Sequence, residues 1–389
     1  MRALFVTHAF PRSETDPVGS FVLRLAVALQ AHGIAVEVLT PSAPGLPGRG
    51  TFEGVAVERY RYAPRSLETL AYSGTMGQQV RQSWRARAAL LAMLARAATR
   101  VVKRARAGQF DIVHAHWWFP SGLAASFARY AQGRPLVTTL HGSDVRFARE
   151  FPGGRLAFKR VVHASSALTT VSSWLAREAL EIAPEARPIV APMPVAPALF
   201  HPGGERDPER LLFVGKLTEQ KGLQHLLRAL RIMKSKPTVD VVGAGRVDDS
   251  HLRSLADELQ LSPRVNWLPL LPQSELAPLY RRAALHVIPA TDEGLGLTAI
   301  ESLMSETPVV AFESGGVPDI VVPGTSGALV PPGDIEALAR EIDRLLQSPL
   351  ERSALGHKGR EFALSRFSPD AVAARYASLY EQVVTRRST

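Results

Sequence analysis

The chain of 389 residues contains no cysteine. Disulfide bonds, iron–sulfur clusters, cysteine-ligated zinc and thiol nucleophiles are therefore excluded. Long apolar runs are also missing, because no stretch reaches the roughly 20 apolar residues that a membrane-spanning helix needs. The first apolar stretch, "ALFV", has only four residues before Thr7 and His8. It is too short for a secretory signal, so we expect a cytoplasmic protein.

Lysine and aromatic residues are scarce. Lysines account for seven of the 46 basic residues, and aromatic residues for 7% of the chain, while the net charge is +10. A basic excess suits nucleic acid, anionic lipid or a phosphate-rich ligand. Because aromatic residues are few and no zinc-finger or RNA-binding signature is present, we expect no nucleic-acid partner.

Short apolar runs alternate with longer helical patterns along the whole chain. The strand-like runs of the first half are "ALFV", "VEVLT", "DIVHAH", "PLVTTLH" and "ALTTVS", and those of the second are "RLLFVG", "TVDVVGAG", "RVNWLP", "LHVIPA" and "PVVAF". This alternation predicts parallel βαβ units, and the length suits two domains. The proline-dense stretch from Arg187 to Pro208 is the predicted linker. We therefore expect an α/β protein with two doubly wound domains, 1–190 and 205–369.

Ligands of doubly wound sheets bind at the carboxyl ends of the strands. Two facing halves would place a site in the cleft between them. The residues directly after each strand are therefore the candidates for function.

In the first half, three strands are followed by such candidates. Gly19 lies in a loop that leads into a helix, whose free N–H groups would face an anion. His116 ends "DIVHAH", and His141 opens "HGSD" after "PLVTTL". The alternative is structural: a plain connection, packed histidines, and Ser143 or Asp144 as a helix N-cap. His114 is interpreted as structural.

In the second half, the octapeptide "GKLTEQKG" follows the strand "RLLFV". Gly215 would let a bulky ligand approach the backbone. Lys216 and Lys221 would supply two cations beside it, as a diphosphate requires. An ordinary solvated loop is the alternative, although two of the few lysines of the chain fall here.

The stretch "TDEGLGLTAIE" follows the strand "LHVIPA" and carries two carboxylates, Glu293 and Glu301. Gly294 and Gly296 free the turn, and the helix is predicted to begin near Leu297. Its first N–H groups suit a phosphate. A carboxylate one turn into the helix can accept both hydroxyls of a ribose, and the other can hold sugar hydroxyls. A glycosidase pair is the alternative, but a hydrolase has no need of the lysine loop.

The segment "GAGRVD", Gly243 to Asp248, is half of a dinucleotide-binding fingerprint. It leaves a dinucleotide-dependent oxidoreductase open as a rival, together with a non-catalytic nucleotide-binding module. No D-x-D pair is evident, because Asp248 and Asp249 are adjacent.

Taken together, these segments resemble glycosyltransferase family 4, whose members have the GT-B fold of two Rossmann-like domains. "EGLGLTAIE" is similar to the family's E-x7-E element, and "FVGKLTEQKG" to its phosphate loop. "GGVPDIVVPGTSGALVPPGD" is similar to the segment that follows, and "HGSD" and "DPVGSFV" match the N-terminal cleft loops. The combination with "HAHWWFPSG" looks most like bacterial enzymes of surface-polysaccharide synthesis, of the teichuronic acid and capsule type. Lys216 stands where the family usually has arginine, which loses the bidentate fork.

The resemblance implies a retaining transfer of a hexosyl unit from a UDP- or GDP-sugar to a glycan, lipid-linked or small-molecule acceptor. Glu301 would hold the ribose, and the lysines and helix amides the diphosphate. The implied donor-binding residues are Gly19, Gly215, Lys216, Lys221, Gly294, Gly296, Leu297, Thr298 and Glu301.

The implied catalytic residues are His141, Glu293 and Lys221, with His116 and Asp144 on the acceptor side. Lysines and a helix N-terminus would do the work of a metal, so neither a metal nor a cofactor is expected. The C-terminal helix, 370–389, would cross back to the N-terminal domain as in relatives. A sugar-nucleotide epimerase or a phosphorylase of the same fold remains a rival.

The segment from Gln82 to Gly108 predicts one long helix with two kinds of surface. Apolar residues recur on one face, namely Trp84, Ala88, Leu91, Ala95, Ala98 and Val102. Basic residues fall on another, namely Arg85, Arg96, Arg100 and Lys103, with Arg87, Arg104 and Arg106 nearby. An ordinary crossover helix has a solvated basic face. The alternative is a peripheral contact with the anionic inner face of the cell membrane.

Overall fold

The computed structural model divides the chain into two compact units. The first is Met1–Pro194 with the segment that begins at Pro369, and the second is Val195–Ser368. The structure describes residues 1–14, 16–72, 74–244 and 249–385, without the side chains of 130–132. Within those ranges, no helix combines the length and apolarity needed to cross a membrane.

The first unit contains an eight-stranded sheet in the order β3-β4-β2-β1-β5-β6-β7-β8. All neighbours are parallel except β3 and β4. The strands are β1 (Arg2–Val6), β2 (Ala35–Pro41), β3 (Arg49–Phe52), β4 (Val55–Tyr60), β5 (Ile112–His116), β6 (Leu136–Leu140), β7 (Ala167–Thr170) and β8 (Pro188–Val190).

Eight α-helices are described for the first unit, in two layers. They are α1 (Ser20–Ala31), α2 (Met76–Gln82), α3 (Trp84–Arg106), α4 (Leu123–Gln132), α5 (Ser143–Glu150), α6 (Gly154–Ala164), α7 (Ser173–Ile182) and α14 (Pro369–Thr385). Helices α1 and α14 pack together. Helices α3, α4, α6 and α7 form the other layer, each packed against the next.

The second unit contains a six-stranded parallel sheet in the order β11-β10-β9-β12-β13-β14. Its strands are β9 (Arg210–Val214), β10 (Thr238–Ala244), β11 (Val265–Pro269), β12 (Leu285–Ile288), β13 (Val309–Phe312) and β14 (Gly327–Val330). Its helices are α8 (Leu223–Ile232), α9 (Ser250–Glu258), α10 (Gln273–Arg282), α11 (Leu297–Met304), α12 (Ile335–Leu346) and α13 (Pro349–Phe367).

Among its parallel strands, each sheet reverses its strand order once, as doubly wound sheets do. The reversal lies between β1 and β5 in the first unit and between β9 and β12 in the second. The prediction of an α/β protein with two doubly wound halves is therefore confirmed. In each half, the loops after the two central strands emerge side by side at one edge of the sheet.

All ten strand-like runs read from the sequence form strands, but four further strands were not predicted. They are β3, β4, β8 and β14. Strand β8 falls in the proline-dense stretch interpreted as linker, so that reading of Pro188–Val190 is wrong. A proline is tolerated at the first position of an edge strand, where no partner needs its N–H group.

Helix α14 completes the core of the first unit. Tyr376 and Tyr380 are fully buried. The hydroxyl of Tyr380 lies 2.6 Å from His114 Nδ1, and Thr139 Oγ1 lies 2.6 Å from its Nε2. The imidazole of His114 is thus satisfied on both sides, and its side chain has the structural role read from the sequence.

Helix α3 does not bury the apolar face that the sequence analysis identified. The buried residues are Ala89, Leu90, Met93, Ala97, Val101 and Ala105. Trp84 and Leu91 are instead 72% and 68% exposed. Because the helix carries two apolar faces, sequence periodicity alone could not tell which one meets the sheet.

A buried carboxylate ties α3 to the sheet. Glu58 on β4 has a side chain only 4% exposed and forms ion pairs with Arg100 and Arg104. Burial alone would raise the pKa of Glu58, but the charges of Arg104 and Arg100 outweigh it and lower the pKa. Arg104 also pairs with Glu37, whose side chain is 42% exposed.

We predict that Glu58→Ala lowers the free energy of unfolding of the first unit by about 3 kcal/mol, because the buried guanidinium of Arg104 then keeps only the solvated carboxylate of Glu37 as a partner among the described residues. Glu37→Ala is the matched control and should cost less than about 1 kcal/mol, since its carboxylate is solvated. Urea unfolding followed by tryptophan fluorescence measures both, because four of the five tryptophans lie in the first unit. Similar small losses in the two variants would contradict the prediction.

Candidate functional site

The loops after β9 and β12 are bound to each other in the second unit. The N–H of Thr291 donates to the carbonyl of Gln220 at 2.9 Å, and the Gln220 side chain donates to the carbonyl of Asp292 at 3.0 Å. The ammonium of Lys221 pairs with the carboxylate of Glu293. The lysine loop and the glutamate loop, read as separate motifs in the sequence, therefore form one site.

Gly222 allows this close approach. Its backbone has φ of 76°, and a Cβ at this position would lie 1.8 Å from the carbonyl oxygen of Pro289. Only glycine fits such a left-handed, crowded position. The end of the lysine loop is thereby pressed against the end of β12.

The loop after β13 supports Glu293 from the other side. The N–H of Gly316 donates to the carbonyl of Glu293 at 2.7 Å, and the hydroxyl of Ser314 accepts from the N–H of Asp292 at 3.1 Å. Glu293 thus has its backbone fixed by one neighbour and its carboxylate by Lys221. Its side chain is 18% exposed, and that of Lys221 is 28% exposed, so both remain accessible to a ligand.

Helix α11 begins at Leu297, as predicted, after Gly296 in a left-handed conformation. The first intrahelical N–H bond is that of Ala299 to the carbonyl of Gly296 at 2.9 Å. The N–H groups of Leu297 and Thr298 precede it, so they belong to the orphan donors of a helix start. They carry the positive end of the helix dipole, which favours an anion.

Glu301 lies inside the protein and is held by two side chains of α10. It is 6% exposed. Its Oε1 accepts from the Gln273 amide and its Oε2 from the Tyr280 hydroxyl, both at 3.0 Å. Burial raises the pKa of Glu301 to about 7, although both hydrogen bonds oppose the shift. Each oxygen still has a lone pair with which to accept a ligand hydroxyl.

The remaining predicted donor residues lie in the same loops. Gly215 follows β9, and its N–H donates to the carbonyl of Val242 at 3.1 Å. Lys216 is exposed, and Gly294 lies between Glu293 and α11. Of the segment "GAGRVD", Gly243 is described, while 245–248 lie outside the described residues.

In the first unit, the residues after β5 and β6 form a cluster of aromatic rings. His116 Nδ1 lies 3.1 Å from His141 Nε2. The ring of Trp117 lies 4.4 Å from that of His141 and 4.6 Å from that of His8. Burial is the first cause that lowers the pKa of His141 well below its usual value, and burial lowers that of His116 to about 3. The two imidazoles are therefore neutral at pH 7.

Two buried ring nitrogens of this cluster, His8 Nδ1 and His116 Nε2, have no hydrogen-bond partner among the described residues. Such groups cost free energy unless a ligand or water completes them. The sequence analysis passed over His8 and Trp117. Their position directly after β1 and β5 is the signal that could have identified them.

Asp144 was predicted on the acceptor side, but its contacts are structural. Its Oδ1 accepts from the N–H groups of His141 and Gly142, and its Oδ2 from that of Trp118. The residue is 3% exposed. Burial raises its pKa to about 6. The carboxylate therefore fixes the loop that carries His141, and these contacts do not present it to an acceptor.

Gly19 precedes α1 with φ of 73°. A Cβ there would lie 2.4 Å from the carbonyl oxygen of Ala9. The helix start is thus packed directly against the loop after β1, where His8 lies.

Two family descriptions match consecutive parts of the chain. "Glycosyltransferase Family 4" matches residues 18–199, and "Glycosyl transferases group 1" matches residues 199–362. The chain is 32% identical over 302 residues to the MMP alpha-(1->4)-mannosyltransferase of Mycolicibacterium hassiacum, covering 72% of each chain. The protein belongs to glycosyltransferase family 4. It is therefore an enzyme that transfers glycosyl groups, as predicted.

Other members and structures agree with this placement. The D-inositol 3-phosphate glycosyltransferase of Thermobispora bispora is 34% identical over 310 residues, 72% of each chain. A sucrose-phosphate synthase structure from Thermosynechococcus elongatus has a TM-score of 0.81 at 22% identity, covering 99% of this chain and 100% of that one. The GT-B fold of two Rossmann-like domains is thereby confirmed. Membership of this glycosyltransferase family removes the basis for the oxidoreductase rival.

We predict that Tyr280→Phe weakens the binding of a nucleoside diphosphate about ten-fold, because Glu301 loses a donor to its charged form. Phenylalanine keeps the buried aromatic ring of Tyr280, so the fold should persist. Tyr376→Phe is the matched control, since it removes a buried hydroxyl in the first unit. Calorimetric titration with UDP and GDP measures both variants, and equal affinities in wild type and Tyr280→Phe would remove Tyr280 from the site.

Proposed function

We propose that this glycosyltransferase uses a nucleoside-diphosphate sugar as donor and transfers its hexosyl unit with retention of anomeric configuration. The observation that carries the proposal is the joined loop pair after β9 and β12. It brings Lys221, Glu293 and the first amides of α11 to the strand ends where doubly wound sheets bind ligands. Structures of the Anabaena protein HepE in complex with UDP and with UDP-glucose, at TM-scores of 0.74 and 0.71, support this class of donor.

The chemistry follows from the charges that the site supplies. When the bond to the sugar breaks, negative charge grows on the leaving diphosphate. Lys216, Lys221 and the amides of Leu297 and Thr298 stabilise that charge more than the charge of the ground state. A ligand diphosphate competes with Glu293 for Lys221, which frees the carboxylate of Glu293 to accept sugar hydroxyls. Glu301 accepts the ribose hydroxyls.

We propose that His141 binds a sugar hydroxyl as a neutral imidazole. It can donate to or accept from a sugar hydroxyl without adding charge, because its pKa is far below 7. Nδ1 of His116 holds Nε2 of His141, which would leave Nδ1 of His141 for the sugar hydroxyl. Same-face attack, with the leaving phosphate taking the acceptor proton, accounts for retention.

The acceptor is proposed to be a glycan or lipid-linked glycan of a surface polysaccharide, handled at the inner face of the cell membrane. The names of the curated relatives, which act on MMP or on D-inositol 3-phosphate, make a small acceptor the alternative. A screen of UDP- and GDP-sugars that scores the released nucleoside diphosphate, with and without acceptor, tests donor and acceptor together. Proton NMR of the product gives the anomeric outcome. No nucleotide release with any donor would contradict the proposal.

We predict that affinity for a nucleotide sugar rises as the pH increases through about 7, because ribose hydroxyls bind the carboxylate form of Glu301. The increase should approach ten-fold per pH unit below the pKa of Glu301. A nucleotide sugar is a better ligand for this measurement than a free nucleoside diphosphate, because the charge of its diphosphate does not change near neutral pH. Glu301→Gln should bind the nucleotide sugar weakly and with an affinity that does not change with pH. If the affinity of this variant still rises with pH, another group is responsible for the effect.

The same carboxyl predicts an effect on stability. Its pKa in the folded protein is raised to about 7 from 4.5, so it stabilises the fold at low pH. That stability is lost as the pH rises toward 7. Glu301→Gln should therefore unfold at higher urea concentration than wild type at about pH 8, and at a similar one near about pH 4. A Gln variant that is less stable at both pH values would contradict this sign.

We predict that transfer continues in excess EDTA, because lysines and helix amides supply the positive charge. The measurement is nucleotide release before and after chelation, with magnesium or manganese added back. Loss of activity that either ion restores would mean that a metal holds the diphosphate and that the lysines are secondary.

A further inference from the structure

Helix α3 of the first unit has an apolar stripe on its outward face. Trp84 is 72% exposed and Leu91 is 68% exposed. Ala88 and Ala95 are also exposed, and Ala98 and Val102 are partly so. At about 100° per residue these six positions fall within a narrow sector of the helix surface.

This stripe is not the surface by which α3 joins the protein. The opposite side of the helix packs into the core through Met93, Ala97 and Val101, which are at most 3% exposed. Among the residues that the structure describes, nothing covers the outward side. An exposed apolar stripe of this length on a helix marks a contact surface.

The basic residues of α3 divide into two groups. Arg100 and Arg104 share the carboxylate of Glu58, and Arg104 also pairs with Glu37, so both already have partners within the unit. A second group borders the stripe, is exposed and has no carboxylate partner among the described residues; its members are Arg85, Arg96, Lys103 and Arg106. In this group the guanidinium of Arg85 lies over the ring of Trp84, 5.7 Å from its centroid.

The neighbouring helices of the same layer add further exposed apolar side chains. Helix α4 packs on α3, and α6 packs on α4. Phe127 of α4 is 46% exposed, and Leu156 of α6 is 77% exposed. Exposed apolar side chains are therefore found on three helices of this layer.

We propose that the outward face of α3, defined by Trp84, Leu91 and the four bordering basic residues, docks on an anionic lipid surface. This inference rests on the proposed function, because a lipid-linked acceptor explains why the enzyme would bind a lipid surface. Tryptophan and leucine suit the boundary between headgroups and acyl chains. The basic border suits the anionic headgroups, at about 1 kcal/mol for each basic residue near the surface, or about five-fold in affinity.

Charge selects this occupant over a second copy of the chain. Two copies joined through this face would bring eight unpaired basic groups together, in a protein whose net charge is already +10. An anionic surface instead compensates the border while the stripe leaves water.

The test is flotation of the full chain with vesicles of phosphatidylcholine alone and of phosphatidylcholine with phosphatidylglycerol. Binding should require the anionic lipid and fall with added salt. Trp84→Ala with Leu91→Gln should reduce binding about ten-fold or more, from the lost apolar insertion. Replacing Arg85, Arg96, Lys103 and Arg106 by glutamine should reduce it by at least as much.

Two control variants match these changes on the second unit. Leu350→Gln with Ile232→Gln alters exposed apolar residues, 87% and 53% exposed. Glutamine at Arg228, Arg231, Lys234 and Lys358 removes the same number of exposed charges. Both controls should bind anionic vesicles as the wild type does. If the test and control variants lose vesicle binding equally, net charge or general surface apolarity explains the binding. That result would overturn the proposal.

Other outcomes also decide the matter. Equal recovery with neutral and anionic vesicles, or none with either, would overturn the proposal, as would a dimer in light scattering that Leu91→Gln dissolves. Donor binding and nucleotide release are measured on the same samples without vesicles. If they persist while vesicle binding fails, the docking surface is wrong and the proposed function stands. If vesicle binding holds but no donor is used, the proposed function is wrong.

Discussion

The parallel pairing of β9 with both β10 and β12 is the constraint on which the proposed donor site depends. It places two strand ends side by side at the point where the order of the sheet reverses. Everything that the site uses then follows over short distances: a lysine and a glutamate in contact, a glycine that lets the loops touch, and a helix that starts beside them. Residues 72 positions apart in the chain, Lys221 and Glu293, meet without any long loop.

The sequence predicted this arrangement in outline because the relevant signals are local. Apolar runs followed by glycine, lysine or glutamate mark strand ends, and the helix start at Leu297 follows from the glycines before it. The partners of Glu301 could not be predicted in the same way. Tyr280 and Gln273 lie on another helix, and nothing in their local sequence distinguishes them from other residues of α10. The packing of α10 against α11 alone identifies them.

For helix α3, the local sequence did not predict which face is buried. Its sequence contains two stripes of apolar residues, each with three alanines and one valine; one adds Leu90 and Met93, and the other adds Trp84 and Leu91. Composition therefore does not distinguish the two stripes, and the structure buries the one that contains Leu90 and Met93. That stripe packs against α4, a contact that the local sequence of α3 does not predict. This packing leaves Trp84 and Leu91 on the outward face, where the docking surface is proposed.

The dependence of the first unit on α14 has a consequence for the order of folding. His114 and Tyr380 are 266 positions apart, so the core of the first unit includes the last helix of the chain. The second unit is one uninterrupted segment, Val195–Ser368. During synthesis all of its residues leave the ribosome before α14 does. The half that begins the chain is therefore the last to complete its core, and until then the pocket for Tyr376 and Tyr380 stays open to chaperones and proteases.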